Sequence, residues 1–346
     1  MLKLTAPQKN VVETDNFFKN TSISNIGGYA IFDNEVNFEL MIVAINKLIE
    51  NADGLRIRLG EENGETVQYI KEYSYQKVEV LEVENDILLE SNKWMETPFD
   101  LNGELYDFKL LKYKGRHGIF IKLHHVISDA WSMAIVLSKV IEYYDIIRNS
   151  IKKAKEEEKE FIEDITLKEE QNSEEIQVEH NSNTSEIINE NKYDNLNNLK
   201  AEITDEIPSY TVFIDSEKEY LKSEQYEKDK KYWTDKYEVK PTFISLSNVN
   251  GNINAEGIRK SFVISKESKE EIEKYCKDSK VSMAVFFEAI VCLYAARVNN
   301  SDDITLCSLG FNRSGRTERK IVGMFNNILP MTVKADWNKP FIELCQ

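Results

Sequence analysis

One stretch of this chain is poorly suited to a hydrophobic core, and that divides the rest. Between Ile151 and Ile207 stand 17 acidic and 7 basic residues, a net charge of −10, with a Lys-Glu run at 155–160 and Asn/Ser/Glu-rich sequence around Asn181 to Asn191. A segment so charged and so poor in apolar residues buries too little surface to offset its ordering entropy. The sequence therefore predicts a disordered acidic insert at 151–207, with its start free to continue a preceding helix. It separates an N-terminal half, 1–150, from a C-terminal half, 208–346. Of 346 residues 41% are hydrophobic, enough for a core in each half.

The whole chain carries −16. That argues against a nucleic-acid binder, which needs clustered Lys and Arg, and disfavours an anionic membrane. No apolar run reaches the length of a spanning helix, and Met283 to Val298, interrupted by Glu288, reads as a buried helix. The N-terminus lacks a secretory apolar run. Four cysteines far apart form no C-x-x-C pair, so reduced thiols and a cytoplasmic setting are expected.

Both halves mix helix and strand, which predicts an α+β fold. In the first, Phe38 to Leu48 has helical apolar spacing, and Leu55 to Leu59 alternates as a strand. Tyr106 to Tyr113 and Gly118 to Leu123 read as strands joined by a Lys114-Gly115-Arg116 turn. Beyond Ser128, Met133, Val136, Leu137, Val140, Ile141 and Tyr144 share one helical face. In the second half, helices are expected over Tyr220 to Tyr237, Lys269 to Cys276 and Ser282 to Val298. Strands are expected over Gly257 to Ile264 and Ile304 to Leu309.

Of four histidines, two are adjacent: His124-His125-Val126-Ile127-Ser128-Asp129-Ala130-Trp131-Ser132. The run places them at a strand end, on opposite faces, so that one imidazole can face a cleft while the other meets the core. Imidazole titrates near neutrality and suits proton acceptance. Asp129 stands where a helix begins; it reads as a carboxylate for the free N–H groups there, with Ser128 as a candidate cap, or as the partner of a buried arginine. No phosphate loop, dinucleotide loop, nucleophile elbow or zinc spacing occurs. Gly27-Gly28 reads as a turn, and His117 and His180 fall in expected loops.

The double-histidine run resembles the H-H-x-x-x-D-G signature of condensation domains from nonribosomal peptide synthetases. Further segments follow in that family's order: Leu4-Thr5-Ala6-Pro7-Gln8; Leu55-Arg56-Ile57-Arg58-Leu59, similar to L-R-T-x-F; and Pro98-Phe99-Asp100-Leu101. Later come Ser209-Tyr210 with Glu217, Tyr220, Leu221 and Lys228 to Trp233, then Asn312-Arg313-Ser314-Gly315, then Val322-Gly323-Met324-Phe325-Asn326-Asn327. Ala130 stands where the signature has glycine, and Asn51-Ala52-Asp53-Gly54 replaces an expected R-H-E.

The resemblance implies an α/β sandwich of two lobes, each like chloramphenicol acetyltransferase, joined in a V around a tunnel. With the sequence ending at Gln346, the second lobe is expected to be incomplete. It also implies an acyltransferase-type enzyme that forms peptide bonds. Donor and acceptor carrier proteins bring phosphopantetheine thioesters, beside an adenylation domain, to a monomer with no bound cofactor and no metal. Catalysis is implied for the run His124, His125 and Asp129, with His125 orienting or deprotonating the amine and His124 structural. An Arg56–Asp129 ion pair is implied to hold the loop, and Trp131, Ser132, Gly323, Phe325 and Asn326 to line or support the tunnel. A truncated, inactive carrier-docking module and a related acyltransferase that esterifies or epimerises instead are the alternatives the motifs leave open.

Overall fold

The computed structural model describes residues 1–171, 206–241, 244, 246 and 260–345. The chain forms two compact units, one of Met1–Ile214 with Arg313–Phe325, the other of Asp215–Asn312 with Asn326–Gln346.

In the first unit, β1 (Leu2–Lys3) leads into α1 (Ala6–Phe17), β2 (Asn25–Ile31) and α2 (Phe38–Asn51). Helix α2 starts where the Asn37 side chain accepts the Leu40 amide, and it buries Met41, Ala44, Ile45, Leu48 and Ile49 on one face. Strands β3 (Ile57–Glu62) and β4 (Glu65–Ile70) pair antiparallel, with β1 on the far side of β4. The strand expected from Leu55 therefore begins two residues later, after a single 3₁₀ turn at Asp53–Arg56.

A second sheet holds β5 (Glu79–Val83), β6 (Tyr106–Tyr113) and β7 (Arg116–His124) in the order β2-β7-β6-β5, with α3 (Ile87–Glu96) inserted between β5 and β6. The β6–β7 hairpin closes on Lys114 (φ 48°) and Gly115 (φ 76°), the left-handed pair a two-residue turn requires. Gly27-Gly28 is not a turn: both lie in β2 opposite Lys122 and Ile121, because seven paired residues outweigh local turn preference. His117, expected in a loop, sits in β7 with Nδ1 2.8 Å from the Val36 carbonyl. His180 lies outside the described residues.

From Gly118 on, every residue of β7 is buried, as befits a central strand covered on both faces. Helix α4 (Ala130–Gln171) follows and packs against α2, burying Val136, Val140, Tyr143, Tyr144 and Ile147. Tyr143, absent from the predicted face, is fully buried, while Ile141 is 38% exposed. The helix carries on to Gln171, so the acidic segment begins as an extension of α4; the remainder of that segment, 172–205, lies outside the described residues.

The boundary predicted at 208 also shifts. Ser209 donates to Asp53, the Tyr210 amide reaches Asp53 Oδ1 at 2.9 Å, and the Tyr210 hydroxyl donates to the Met324 carbonyl at 2.6 Å. Phe213 and Phe325 meet with ring centroids 4.2 Å apart. These contacts, with burial of Ile321, Val322 and Phe325, join 206–214 and 313–325 to the first unit's core.

Helix α5 (Thr211–Tyr220) leads into the second unit, which holds α6 (Glu224–Lys236), α7 (Lys266–Asp278), α8 (Met283–Asn299), β8 (Asp303–Gly310), β9 (Asn327–Lys334) and the short α9 (Phe341–Leu344). The helix expected over 220–237 begins at Glu224, where Ser223 caps α6, and Tyr220 is instead the last residue of α5. Residues 260–264 form no strand, and the start of that expected strand lies outside the described residues. Strands β8 and β9 form an antiparallel pair. Helix α8 buries Ala289, Cys292, Ala295 and Ala296 but exposes Val291, Tyr294 and Val298, so it is covered on one side rather than enclosed. Among the described residues no single helix is long and apolar enough to cross a membrane.

Candidate active site

Strand β7 delivers His124 at its last position, opposite Asn25 of β2, and a 3₁₀ turn, His125–Ile127, carries the chain to α4. His124 is buried: its Nδ1 accepts the Val126 amide at 3.2 Å, and Nε2 stands 3.3 Å from Asp15 Oδ2 on α1. His125 is partly exposed. Its backbone amide donates to the Ser24 carbonyl at 2.7 Å, and its Nδ1 lies 2.8 Å from the Ser128 carbonyl.

Those partners set two opposite tautomers. An amide N–H demands a lone pair on His124 Nδ1, so the proton of the neutral ring sits on Nε2. A carbonyl demands a proton on His125 Nδ1, leaving the Nε2 lone pair as the basic site. Gln8 supports the same turn, donating from Nε2 to the Val126 carbonyl at 3.1 Å and to Gln68 at 2.8 Å. The first motif, Leu4 to Gln8, already marked this glutamine in the sequence; its grip on the histidine turn is visible only in the fold.

Asp129, wholly buried, caps α4 by accepting the Ser132 amide on Oδ1 at 2.7 Å, so the cap is Asp129 and not Ser128. Arg313 Nη2 reaches Asp129 Oδ1 and Oδ2 at 3.0 and 3.1 Å, and the Phe325 amide donates to Oδ2 at 3.2 Å. Burial pulls the Arg313 guanidinium below the usual arginine range, and the adjacent carboxylate opposes that shift. Ala130, at the glycine position of the signature, is not among the residues with positive φ, so its Cβ meets no backbone obstacle there.

The Arg56–Asp129 pair expected from the motif does not form. Arg56 donates to the backbone carbonyls of Ile49, Glu50 and Lys71, at the rim of the 3₁₀ turn after α2. Arg58, two residues further on in β3 and buried, pairs with Glu104. Arg313 fills the role because the segment 313–325 folds back onto the start of α4. The sequence contained Arg313 in the Asn312-Arg313-Ser314-Gly315 run, but no spacing tied it to Asp129.

The residues expected around a tunnel separate into different places. Ser132 is fully buried and saturated: its hydroxyl donates to the Gly323 carbonyl at 2.8 Å and accepts from the Gly323 amide and Arg313 Nη2. Gly323 backs onto Tyr210, whose ring a Cβ would overlap. Phe325 is fully buried against Tyr210 and Phe213. These three brace the Asp129–Arg313 contact and line no open surface. Asn326 follows in the chain as the first residue of the second unit's later segment, with its Oδ1 buried and unpartnered among the described residues. Trp131 is half-exposed, donates from its indole to the Arg319 carbonyl at 2.9 Å and lines a pocket of 370 Å³ with Ile135, Ile207 and Lys320. Among the described residues no group of three metal-ligating side chains converges.

The sequence profile described as Condensation domain matches residues 1–182 and 189–346. The chain belongs to the condensation-domain family. Its relatives include surfactin synthase subunit 1 of Bacillus subtilis (strain 168), 26% identical over 98% of this chain and 8% of that protein. A dimodular nonribosomal peptide synthase of the same organism is 20% identical over 99% of this chain and 13% of its own length. This condensation domain thus spans only about a tenth of the curated synthetases it matches.

Among solved structures, the first condensation domain of the CDA synthetase superimposes with a TM-score of 0.71 at 17% identity, over 99% of this chain and 73% of that one. The starter condensation domain of rhizomide synthetase, solved with C8-CoA, gives 0.75 at 16%, over 99% and 69%. The mixed α+β fold is therefore the chloramphenicol acetyltransferase-like fold of condensation domains.

Proposed function

We propose that this condensation domain forms an amide bond between an acyl or aminoacyl thioester and the amine of a second, thioester-bound amino acid. Both reactants arrive on carrier proteins. The observation that carries the reading is the 2.8 Å contact of His125 Nδ1 with the Ser128 carbonyl: an acceptor there calls for a proton on Nδ1, so Nε2 of the neutral ring presents a lone pair on a turn held at both ends. The amine nitrogen attacks the thioester carbonyl, forming the C–N bond. The tetrahedral intermediate then collapses, the C–S bond breaks, and the departing sulfur leaves as thiolate. His125 Nε2 takes the proton the amine loses and passes it to that thiolate, so no net charge is created.

Asp129 and Arg313 act by holding the entry to α4, which fixes where the preceding turn points. The reading assigns no resident cofactor, since the phosphopantetheine arms belong to the carriers. It places the protein in the cytoplasm as a monomer beside the adenylation and carrier domains of a synthetase.

The test is His125→Ala assayed with C8-CoA as donor and Leu-SNAC as acceptor, the pair held by a solved relative of this fold, followed by longer and shorter acyl donors. N-acyl-leucyl thioester is expected from the native chain and a loss on the order of 10²- to 10⁴-fold from the variant, the usual worth of a positioned acid–base. Equal product from both would remove His125 from the chemistry. Carrier binding without turnover by the native chain, against carriers loaded with the same groups, would favour a docking module.

A further inference from the structure

We propose that Asp15 is a positioning residue for the histidine pair, joining both histidines to helix α1 through one carboxylate. The inference rests on the reading of His125 as the working imidazole. Asp15 Oδ1 accepts the hydroxyl of Ser24. Its Oδ2 is sealed from solvent, has no well-formed hydrogen bond among the described residues, and faces His124 Nε2 at 3.3 Å. The Ser24 carbonyl in turn receives the His125 amide at 2.7 Å. The contacts close a ring: Asp15 to the His124 ring, His124 along the backbone to His125, His125 to Ser24, and Ser24 back to Asp15.

The ring has a physical purpose. A carboxylate at 11% side-chain exposure is costly unless polar groups face it; here the Ser24 hydroxyl donates to Oδ1, while His124 Nε2 stands 3.3 Å from Oδ2 as a close electrostatic neighbour without a formed hydrogen bond. That approach is favourable in the tautomer that the Val126 amide imposes on His124, which turns an N–H rather than a lone pair toward the carboxylate. Carboxylate, tautomer and turn therefore specify one another. The His125 amide is anchored at one end of this arrangement and its Nδ1 at the other, which leaves Nε2 little freedom to swing. Displacing a reacting group by about 1 Å costs up to about a hundredfold in rate.

The experiment uses the full chain labelled with ¹⁵N-histidine, whose four histidines are assigned by single substitution. The native protein is expected to show His124 protonated on Nε2 and His125 on Nδ1. Asp15→Asn keeps the size but removes the charge. It is expected to broaden or shift the His125 Nδ1–H signal and to lower kcat on C8-CoA and Leu-SNAC by on the order of tenfold or more, with KM within about twofold. Ser24→Ala, which cuts one link of the ring and leaves the carbonyl, is expected to fall between. Asp15→Glu is expected to recover part of the loss.

A folded Asp15→Asn protein with native histidine signals and native kcat would overturn the proposal. So would failure of both Asp15→Asn and Ser24→Ala to fold, since the carboxylate would then be a folding requirement and nothing more. Histidine signals that move in Asp15→Asn while His125→Ala stays active would reject the catalytic reading and leave the positioning ring intact.

Discussion

Arg313 and Asp129 stand 184 residues apart in the chain and meet in its interior, the guanidinium spanning both carboxylate oxygens. The two side chains are 2% and 0% exposed. Around them converge the Ser132 hydroxyl, the Gly323 carbonyl and the Phe325 amide, so both carboxylate oxygens and Arg313 Nη2 are hydrogen-bonded as well as paired by charge, while Arg313 Nε has no partner among the described residues. In this respect it differs from the surface ion pairs of α4 and α6, which are worth little.

Removing one side of that pair strands the other. Arg313→Met is expected to cost about 3–5 kcal/mol of stability, read as a lower denaturation midpoint. Arg56→Ala, which loses bonds to backbone carbonyls at a partly exposed site, is expected to cost about 1–2 kcal/mol. The reverse ranking would restore the Arg56–Asp129 pairing suggested by the motif.

Ser132→Ala tests whether this hydroxyl is structural. It leaves the Gly323 amide without its partner, removes one of the two donors to the Gly323 carbonyl and one arginine contact, and a loss of about 1–3 kcal/mol follows. Thermal melting and amide exchange at Gly323 would show it. An unchanged melt with altered KM would return Ser132 to a substrate-lining role.

Gly323→Ala asks for space that Tyr210 occupies. The added methyl would run into the Tyr210 ring, well inside van der Waals contact. Overpacking of about 1–3 kcal/mol or more is expected. Tyr210→Leu in the same chain is expected to relieve the clash while losing the hydrogen bond to the Met324 carbonyl. A double-mutant cycle that shows no coupling between these positions would contradict the packing described.

Cysteine reactivity follows burial. Burial pushes the Cys292 thiol up, and Glu288 nearby pushes the same way, so little of it is thiolate at neutral pH. Cys307 is exposed on β8, and Cys276 is buried. Iodoacetamide followed by peptide mapping is expected to modify Cys307 first, with Cys276 and Cys292 protected until unfolding. Early labelling of Cys292 would mean that α8 opens in solution.

Local pattern was enough for the parts whose cause is local. The α2 periodicity, the Lys114-Gly115 turn and the strand–turn–helix run that carries His124, His125 and Asp129 each depend on neighbours within a few residues, and each is found where the letters place it. The same run, with motifs scattered from Leu4 to Asn327, is also what made the family legible. Partner choice was not. Three arginines, Arg56, Arg58 and Arg313, were available to one buried aspartate, and their distances along the chain say nothing of which would arrive. That was decided when 313–325 packed onto Tyr210 and Phe213, because burying Ile321, Val322 and Phe325 brings Arg313 to the start of α4. Asp15 was as silent in the sequence. A carboxylate two turns into a helix looks like any solvated one until the fold sets His124 against it, since burial and proximity between distant segments are properties of the packed chain alone.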